Sequence, residues 1–147
     1  MKSILNSYQT IGIDTMVFIY LLEDHPIFAE ISANIFECVE SGKVSGITSV
    51  ITLLEIAVKP KRDKNKSASD DYRRFISNFP NLEIIDVNDE ICEIASTLRA
   101  DYNLKTPDAI QIATSIEMGA SVFITNDKML NIVDDIEILL LTNIINK

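Results

Sequence analysis

Five short runs of β-forming residues alternate along the chain with longer stretches of helical spacing, and this alternation limits the possible folds more than any other feature. Between the runs, apolar residues recur three and four positions apart, as in residues 27–39, which is the spacing of one helix face. Strands that alternate with helices predict an α/β domain with a mainly parallel sheet covered on both faces. The five runs are Thr10–Ile13, Lys43–Thr48, Glu83–Val87, Ser121–Thr125 and Glu137–Leu141.

The length of the chain, 147 residues, is typical of one domain, and we expect residues 1–147 to form a single one. A domain of this length buries about two-thirds of its unfolded surface, so folding needs no disulfide or structural metal. Cys38 and Cys92 lie far apart and fit no metal-ligand spacing. We expect both to be buried free thiols, which is compatible with a reducing cytoplasm.

No segment has the pattern of a secretion signal or a membrane span. Residues 1–10 contain one lysine and no long apolar core, so we do not expect a signal peptide. The longest uncharged apolar run, residues 16–22, is far too short to cross a bilayer. The sequence therefore favours a cytoplasmic protein without contact with the membrane.

The net charge of −9, from 13 basic and 22 acidic residues, counts against a simple nucleic-acid binder, which is basic overall. An acidic chain can still bind nucleic acid when its carboxylates hold divalent cations, because the cations invert the local field. Its basic residues are concentrated in residues 59–74. We expect residues 59–69, interrupted by Pro60, to form a mobile loop that is either a solvated linker or a functional surface. The basic residues of this region are Lys59, Lys61, Arg62, Lys64, Lys66, Arg73 and Arg74.

Two aspartates follow predicted strands directly. Asp14 ends the strand at residues 10–13 and precedes a helical pattern, and Asp127 follows the strand at residues 121–125. In a parallel sheet, the carboxyl ends of the strands form the usual ligand-binding edge. Aspartate is also a common helix N-cap, so each position permits a capping role as well as a place in a site.

Glu55 falls in the second turn of a helix that begins after Thr48 or Ser49, either of which is a suitable cap. Its neighbours at positions 51, 54 and 58 are apolar, which places it near the buried side of the helix. A carboxylate there needs a cation or hydrogen bonds. The alternative is an exposed position on the polar face.

Asp108 belongs to a predicted helix start, with Thr106 as the N-cap and Pro107 at the first helical position. Asp108 is then the second helical residue, where the helix dipole stabilises a negative charge. That contribution to stability is one sufficient reason for the residue. A helix start also holds a carboxylate rigidly, as a metal ligand requires.

These four acids occupy positions that converge at one edge of a parallel sheet. Four unpaired carboxylates in one place repel one another, and a divalent cation with oxygen ligands removes the repulsion. Mg²⁺ and Mn²⁺ suit such a site, because they accept a few carboxylates and retain waters and phosphate oxygens. Paired ions of this kind activate a water and stabilise the leaving oxygen of a phosphodiester. The acids are Asp14, Glu55, Asp108 and Asp127.

Four segments between residues 11 and 128 resemble the PIN-domain family and occur in the order of that family. They are Ile-Asp-Thr before a hydrophobic helix, Ser-Val-Ile-Thr-Leu-Leu-Glu, Thr-Pro-Asp-Ala-Ile-Gln-Ile-Ala-Thr and Phe-Ile-Thr-Asn-Asp-Lys. No single segment is specific, but the ordered set covers nearly the whole chain. One departure is Met16, which stands where the family often has a supporting asparagine. Its presence removes no carboxylate.

The resemblance implies a Rossmann-like, three-layer α/β/α domain with a five-stranded sheet, and hydrolysis of RNA at a Mg²⁺ or Mn²⁺ site. By the motif matches, the four acids take the acidic positions of the family, with Thr15 and Thr125 as supporting hydroxyl residues. Short PIN proteins resemble VapC-type toxins, which implies a protein antitoxin and a homodimer. Side chains of the basic region are candidates for gripping the RNA backbone, although an antitoxin would compete for the same surface: Lys59, Lys61, Arg62 and Lys64.

Other functions fit the sequence less well. His25 is the only histidine, so a mechanism with two histidines is excluded, and we expect it to be a capping or surface residue. Ligands for catalytic zinc, a Walker loop and a dinucleotide fingerprint are absent. An α/β phosphatase of the haloacid dehalogenase type is disfavoured by Met16, which stands where a second aspartate is expected. The remaining alternative is an inactive PIN-like module that binds RNA or protein.

Overall fold

The computed structural model describes residues 2–145, and its strands and helices alternate as the sequence predicts. The strands are β1 (Thr10–Ile13), β2 (Ser45–Ser49), β3 (Leu82–Ile85), β4 (Val122–Thr125) and β5 (Glu137–Leu140). The helices are α1 (Lys2–Leu5), α2 (Thr15–Leu22), α3 (Ala29–Glu40), α4 (Ile51–Arg62), α5 (Lys66–Ser77), α6 (Asp89–Tyr102), α7 (Thr106–Glu117) and α8 (Leu141–Ile145), with a 3₁₀ helix at Lys128–Ile132. Residues 1, 146 and 147 of the predicted domain lie outside the described part.

The five strands form one sheet in the order β3-β2-β1-β4-β5, and each neighbouring pair is parallel. From β1 the chain builds outward through β2 to β3, then returns to the other side of β1 to add β4 and β5. The strand order therefore reverses between β1 and β4. In open parallel sheets, ligands bind outside the carboxyl ends of the strands at such a reversal.

Side chains of β4 alternate between the two hydrophobic cores, as the two-residue period of a strand requires. Val122 and Ile124 pack in the core that α2 and α3 cover. Phe123 points the other way, into the core formed with α6 and α7. Because all four β4 residues are buried, both faces of the sheet are covered at this strand, as the expected three-layer α/β/α fold requires.

Helix α7 packs very closely on β1 because Gly12 has no side chain. A Cβ at position 12 would lie 1.9 Å from Ser115 Oγ and 2.7 Å from Ser115 Cβ. Helix α7 leads into β4, so it runs against the strand direction and begins at the carboxyl edge of the sheet. The close contact at Gly12 thus fixes the start of α7 relative to the end of β1.

The segment 59–69 is not the mobile loop that we predicted. Helix α4 continues to Arg62 and α5 begins at Lys66, so only residues 63–65 connect them. Buried Pro60 lies inside α4, in contrast to the usual effect of proline on helices. It lines a small cavity with Leu22 and Tyr72.

Two other local predictions need correction. Helix α7 begins at Thr106 and its N-cap is Lys105, without a side-chain capping bond, so Thr106 is not the cap. Cys38 is buried as predicted, but Cys92 is exposed, because it lies on the outer face of α6.

Among residues 2–145, no helix is both long enough and apolar enough to cross a membrane.

Candidate functional site

The ends of β1 and β4 are held together at the point where the strand order reverses. The backbone N–H of Asp14 donates to the carbonyl oxygen of Ile124 at 2.9 Å. The Thr125 hydroxyl donates to Asp14 Oδ2 at 2.7 Å and accepts from the Asp127 N–H at 3.1 Å. The two predicted strand-end aspartates therefore share one edge, with Thr125 between them.

Asp14 is a helix cap and a buried site residue at once. Its Oδ1 accepts from the Thr15 N–H at 2.8 Å, which caps α2, and only 7% of the residue is exposed. Burial raises the pKa of Asp14 from 3.8 to about 6. Its hydrogen bonds from Thr125 and Thr15 lower that pKa, and the charges of Asp108 and Glu55 raise it further. Asp14 is thus a buried carboxyl group that is hydrogen-bonded and lies near the charges of two other acids.

Asp108 occupies the first turn of α7 at the same edge of the sheet. Burial of this half-buried side chain raises its pKa, and the charges of Asp127 and Glu55 add to the increase. Lys105 opposes it. Within the described part of the chain, the carboxylate of Asp108 accepts no hydrogen bond, so both oxygens are available to a ligand.

Glu55 faces the site from α4 and is half-buried, as expected for a position near the buried side of the helix. Its Oε1 accepts from the Thr15 hydroxyl at 2.7 Å. The alternative of a fully exposed glutamate on the polar face is wrong. Thr15 therefore contacts two of the acids, Asp14 through its N–H and Glu55 through its hydroxyl.

Asp127 is the most exposed of the four acids. Its Oδ1 accepts from the Met129 N–H at 3.0 Å, which caps the 3₁₀ helix. The expected capping role and a place at the acidic edge are thus both realised. Its charge is close enough to Asp108 to raise the pKa of that carboxyl group.

Beneath these acids lies a buried polar cluster that the sequence reasoning did not identify as part of the site. Gln111 on α7 bonds to Thr15 and Thr52, and the Thr48 and Thr52 hydroxyls lie 2.7 Å apart. All four residues are at most 4% exposed. The available signal was an amide between Ile110 and Ile112 in a largely apolar run of sequence, because an amide that is buried with such a run needs partners.

The four basic residues predicted to contact RNA lie in three different places. Lys59 pairs with Glu23 at 2.7 Å and lines the same small cavity as Glu55. Lys61 instead lines an open cleft between α4 and α5, of about 560 Å³. Arg62 and Lys64 are exposed at the end of α4 and just beyond it. Lys59 thus shares a cavity with an acid of the site.

Two residues whose roles were in question lie outside the acidic cluster. Met16, at the position of the usual asparagine, is 40% exposed and leaves all four acids in place. His25 accepts backbone N–H bonds from Ile27 and Phe28 at its Nδ1. These bonds lie in the turn before α3, whose N-cap is Phe28 without a side-chain capping bond, so His25 stabilises the turn and does not cap the helix.

The donor set at this edge fits a hard divalent cation. It consists of carboxylate and hydroxyl oxygens without histidine or cysteine, which suits Mg²⁺ or Mn²⁺ and not zinc. Two of the carboxyl groups have raised pKa values partly because the others are near, and a cation would relieve that repulsion. Within residues 2–145, no three acidic, histidine or cysteine side chains are arranged to share one ion. The four acids therefore lie near one another without forming a complete set of ligands around an ion.

Comparisons with known proteins relate the chain to one family. The PIN domain family model matches residues 11–136, whereas no curated protein sequence matches the chain. A chain of the Rickettsia felis VapBC2 complex with promoter DNA has a TM-score of 0.72 and 18% identity, covering 90% of this chain and 98% of that one. A chain of the DNA-bound VapBC of Salmonella typhimurium has a TM-score of 0.70 and 18% identity. A chain of a toxin–antitoxin complex from Klebsiella pneumoniae has a TM-score of 0.65 and 21% identity. Both matches cover 90% of this chain and 98% of the other.

Proposed function

The chain belongs to the PIN domain family, and from this premise we propose that it is a metal-dependent endoribonuclease and the toxin of a toxin–antitoxin pair. The observation that carries the proposal is the convergence of four acids where the strand order reverses. Burial and mutual repulsion raise the pKa of Asp14 and Asp108. Capping explains Asp14 and Asp127 individually, but it gives no reason for four carboxylates to lie near one another.

Asp14, Glu55, Asp108 and Asp127 would hold Mg²⁺ or Mn²⁺. When bound, such an ion supplies Lewis-acid activation of water and stabilises the negative charge that develops on the phosphodiester. The protein orients the ligands. Thr125 and the Thr15 N–H each fix one oxygen of Asp14, and the Thr15 hydroxyl fixes Glu55.

The substrate in this proposal is RNA, and its backbone would be contacted by the basic residues at the end of α4 and beyond it. Lys59 is already paired with Glu23, so its charge is partly neutralised. Lys61, Arg62 and Lys64 have no ion-pair partner in the described part of the chain and retain their charge for phosphates.

Regulation by an antitoxin is proposed because the structural neighbours are chains of toxin–antitoxin complexes. The open cleft between α4 and α5 combines apolar side chains with Lys61 and Arg73, a composition that suits a protein partner. The homodimer and the cytoplasmic location stay predictions from the resemblance and the sequence.

The test is cleavage of a panel of structured RNAs by purified protein free of antitoxin, with Mg²⁺, Mn²⁺ or a chelator, beside Asp108→Asn. We expect cuts that require the metal and disappear in the variant. Cuts that persist in chelator or in Asp108→Asn would come from a contaminating ribonuclease and would not support the proposal.

A second candidate, an inactive PIN module that binds RNA or protein, is favoured by one observation. Within residues 2–145 the acids do not form a ready site for a shared ion. Titration of the folded protein with Mn²⁺ separates the two functions. An active enzyme binds the ion through its carboxylates, whereas folded protein that neither binds Mn²⁺ nor cuts RNA would be the binding module.

A further inference from the structure

The side-chain amide of Gln111 lies at the centre of the hydrogen bonds beneath the acidic edge. Its Nε2 donates to the hydroxyl oxygens of Thr15 and Thr52 at 3.1 and 2.8 Å. Its Oε1 accepts from the Ser49 N–H at 3.3 Å. Because Gln111 is only 2% exposed, water does not compete for these bonds, and the amide has one favourable orientation.

The direction of each bond follows from the donors available. The Ser49 N–H can only donate, so it must face the Gln111 carbonyl oxygen, and the NH₂ group must face Thr15 and Thr52. Thr15 therefore accepts from Gln111. Its single hydroxyl hydrogen is free to donate to Glu55 Oε1, at 2.7 Å.

Thr52 Oγ1 lies 3.1 Å from Thr15 Oγ1 and is a second acceptor for that hydrogen, but Glu55 Oε1 is closer and charged, so the hydrogen bond to Glu55 is the stronger one. Thr48 donates to the Ile13 carbonyl oxygen at 2.9 Å, so the 2.7 Å contact between the Thr48 and Thr52 hydroxyls takes its hydrogen from Thr52. Thr52 is then left as an acceptor for Gln111. The cluster thus has one consistent pattern of donors and acceptors, and that pattern ends at Glu55.

We infer that Gln111 is a positioning residue for the metal site, which sets the direction of the Thr15 hydroxyl and thereby holds the Glu55 carboxylate in place. This inference rests on the proposed function, since a held carboxylate matters only if it binds a cation. Groups that orient metal ligands typically change metal affinity by about 10- to 100-fold when they are removed. We therefore expect Gln111 to affect ion binding without contacting the ion.

Thr114 provides a matched control on the same helix. It is fully buried, and its hydroxyl donates to the Ile110 carbonyl oxygen at 2.7 Å, within α7 itself. Thr114→Val removes a buried hydrogen bond from α7 but leaves the cluster intact. A purely structural role for Gln111 predicts that the two substitutions act alike on ion binding once both proteins are folded.

The experiment is a calorimetric Mn²⁺ titration of wild type, Gln111→Met and Thr114→Val, with melting of the metal-free proteins to verify folding. We expect Gln111→Met to weaken Mn²⁺ binding by about tenfold or more and Thr114→Val to bind as wild type does. Thr15→Val is a second variant, outside α7, that breaks the same chain of hydrogen bonds from Gln111 to Glu55. It should show the same loss, which keeps the test decisive if Gln111→Met does not fold.

A Glu55→Gln background shows whether the effect passes through Glu55. If it does, Gln111→Met causes no further loss of Mn²⁺ affinity there, because coupled residues are not additive. Wild-type affinity in Gln111→Met and Thr15→Val, or an equal loss in both backgrounds, would overturn the inference and leave the proposed function intact. Absence of Mn²⁺ binding by the wild type would overturn both.

Discussion

The hydroxyl of Thr125 donates to the carboxylate of Asp14 at 2.7 Å, across 111 residues of sequence. The same oxygen accepts from the Asp127 N–H, so one side chain links the ends of β1 and β4 and two of the four acids. Thr125 is fully buried, where a hydrogen bond to a charged group is worth more than at the surface. The acidic edge thus depends on a neutral residue for its geometry.

Thr125→Val should therefore destabilise the protein and raise the pKa of Asp14 above its value of about 6, because the Thr125 bond favours the charged form. A buried hydrogen bond to a charged group contributes about 1.5–3 kcal/mol, and we expect a loss of unfolding free energy in that range. Denaturant unfolding and NMR titration of the side-chain carboxyl carbon measure the two effects. Thr125→Ser keeps the hydroxyl and is the control. An unchanged Asp14 pKa in Thr125→Val would contradict the role of this bond.

The raised pKa of Asp14 predicts a specific pH dependence for the metal-free protein. The folded state holds the Asp14 proton more tightly than the unfolded chain, with a pKa of about 6 against 3.8. The stabilisation from the protonated form is therefore complete below pH 3.8 and disappears as the pH rises through about 6. The difference corresponds to roughly 3 kcal/mol.

Asp14→Asn isolates this contribution, since asparagine does not titrate. Between pH 4 and pH 7 the wild type should lose about 2 kcal/mol of unfolding free energy relative to the variant, as measured by denaturant unfolding in chelator. Exposed Asp86→Asn is the control for the loss of one negative charge. Parallel stability curves for wild type and Asp14→Asn would show that the Asp14 pKa is not raised.

The acidic residues were predictable because their positions follow from topology. A residue directly after a parallel strand, such as Asp14, lies at the carboxyl edge of the sheet. Residues near the start of α7, such as Asp108, lie there because that helix runs antiparallel to the strand that follows it. Local patterns thus predicted the five strands, the order of elements and the convergence of the acids.

The packing between elements was not predictable in the same way. The contacts of Gln111 depend on how α7 is rotated and how closely it approaches β1, and neither is visible in a local pattern. The segment 59–69 was wrongly predicted as a loop because its polar composition was given more weight than helix packing. Helix α4 continues through Pro60, and the cap at Asn65, whose side chain accepts from the Ala68 N–H, marks the start of a second helix.

If the basic residues at the end of α4 and beyond it contact RNA, removing their charges should make the affinity for RNA less dependent on salt concentration. Cleavage is blocked by Asp108→Asn, and binding of single-stranded RNA is followed by fluorescence anisotropy across salt concentrations. Each lost phosphate contact should reduce the slope of log K against log salt by about 0.7. We expect this for Lys61→Ala and Lys64→Ala, but not for Lys43→Ala, which lies before β2 at the opposite edge of the sheet. Equal slopes for all three variants would show that Lys61 and Lys64 do not contact the RNA backbone.

The close approach of α7 to β1 predicts that Gly12→Ala damages both the fold and the site. The new Cβ would collide with Ser115, and overpacking of this kind costs about 1–3 kcal/mol. Because α7 carries Asp108, its displacement should also weaken Mn²⁺ binding. Ser115→Gly removes both colliding atoms, although glycine inside a helix costs about 1 kcal/mol. The double variant should therefore bind Mn²⁺ more tightly than Gly12→Ala, as measured by calorimetry beside denaturant unfolding. If Gly12→Ala binds Mn²⁺ as the wild type does, the contact at Gly12 does not set the position of Asp108.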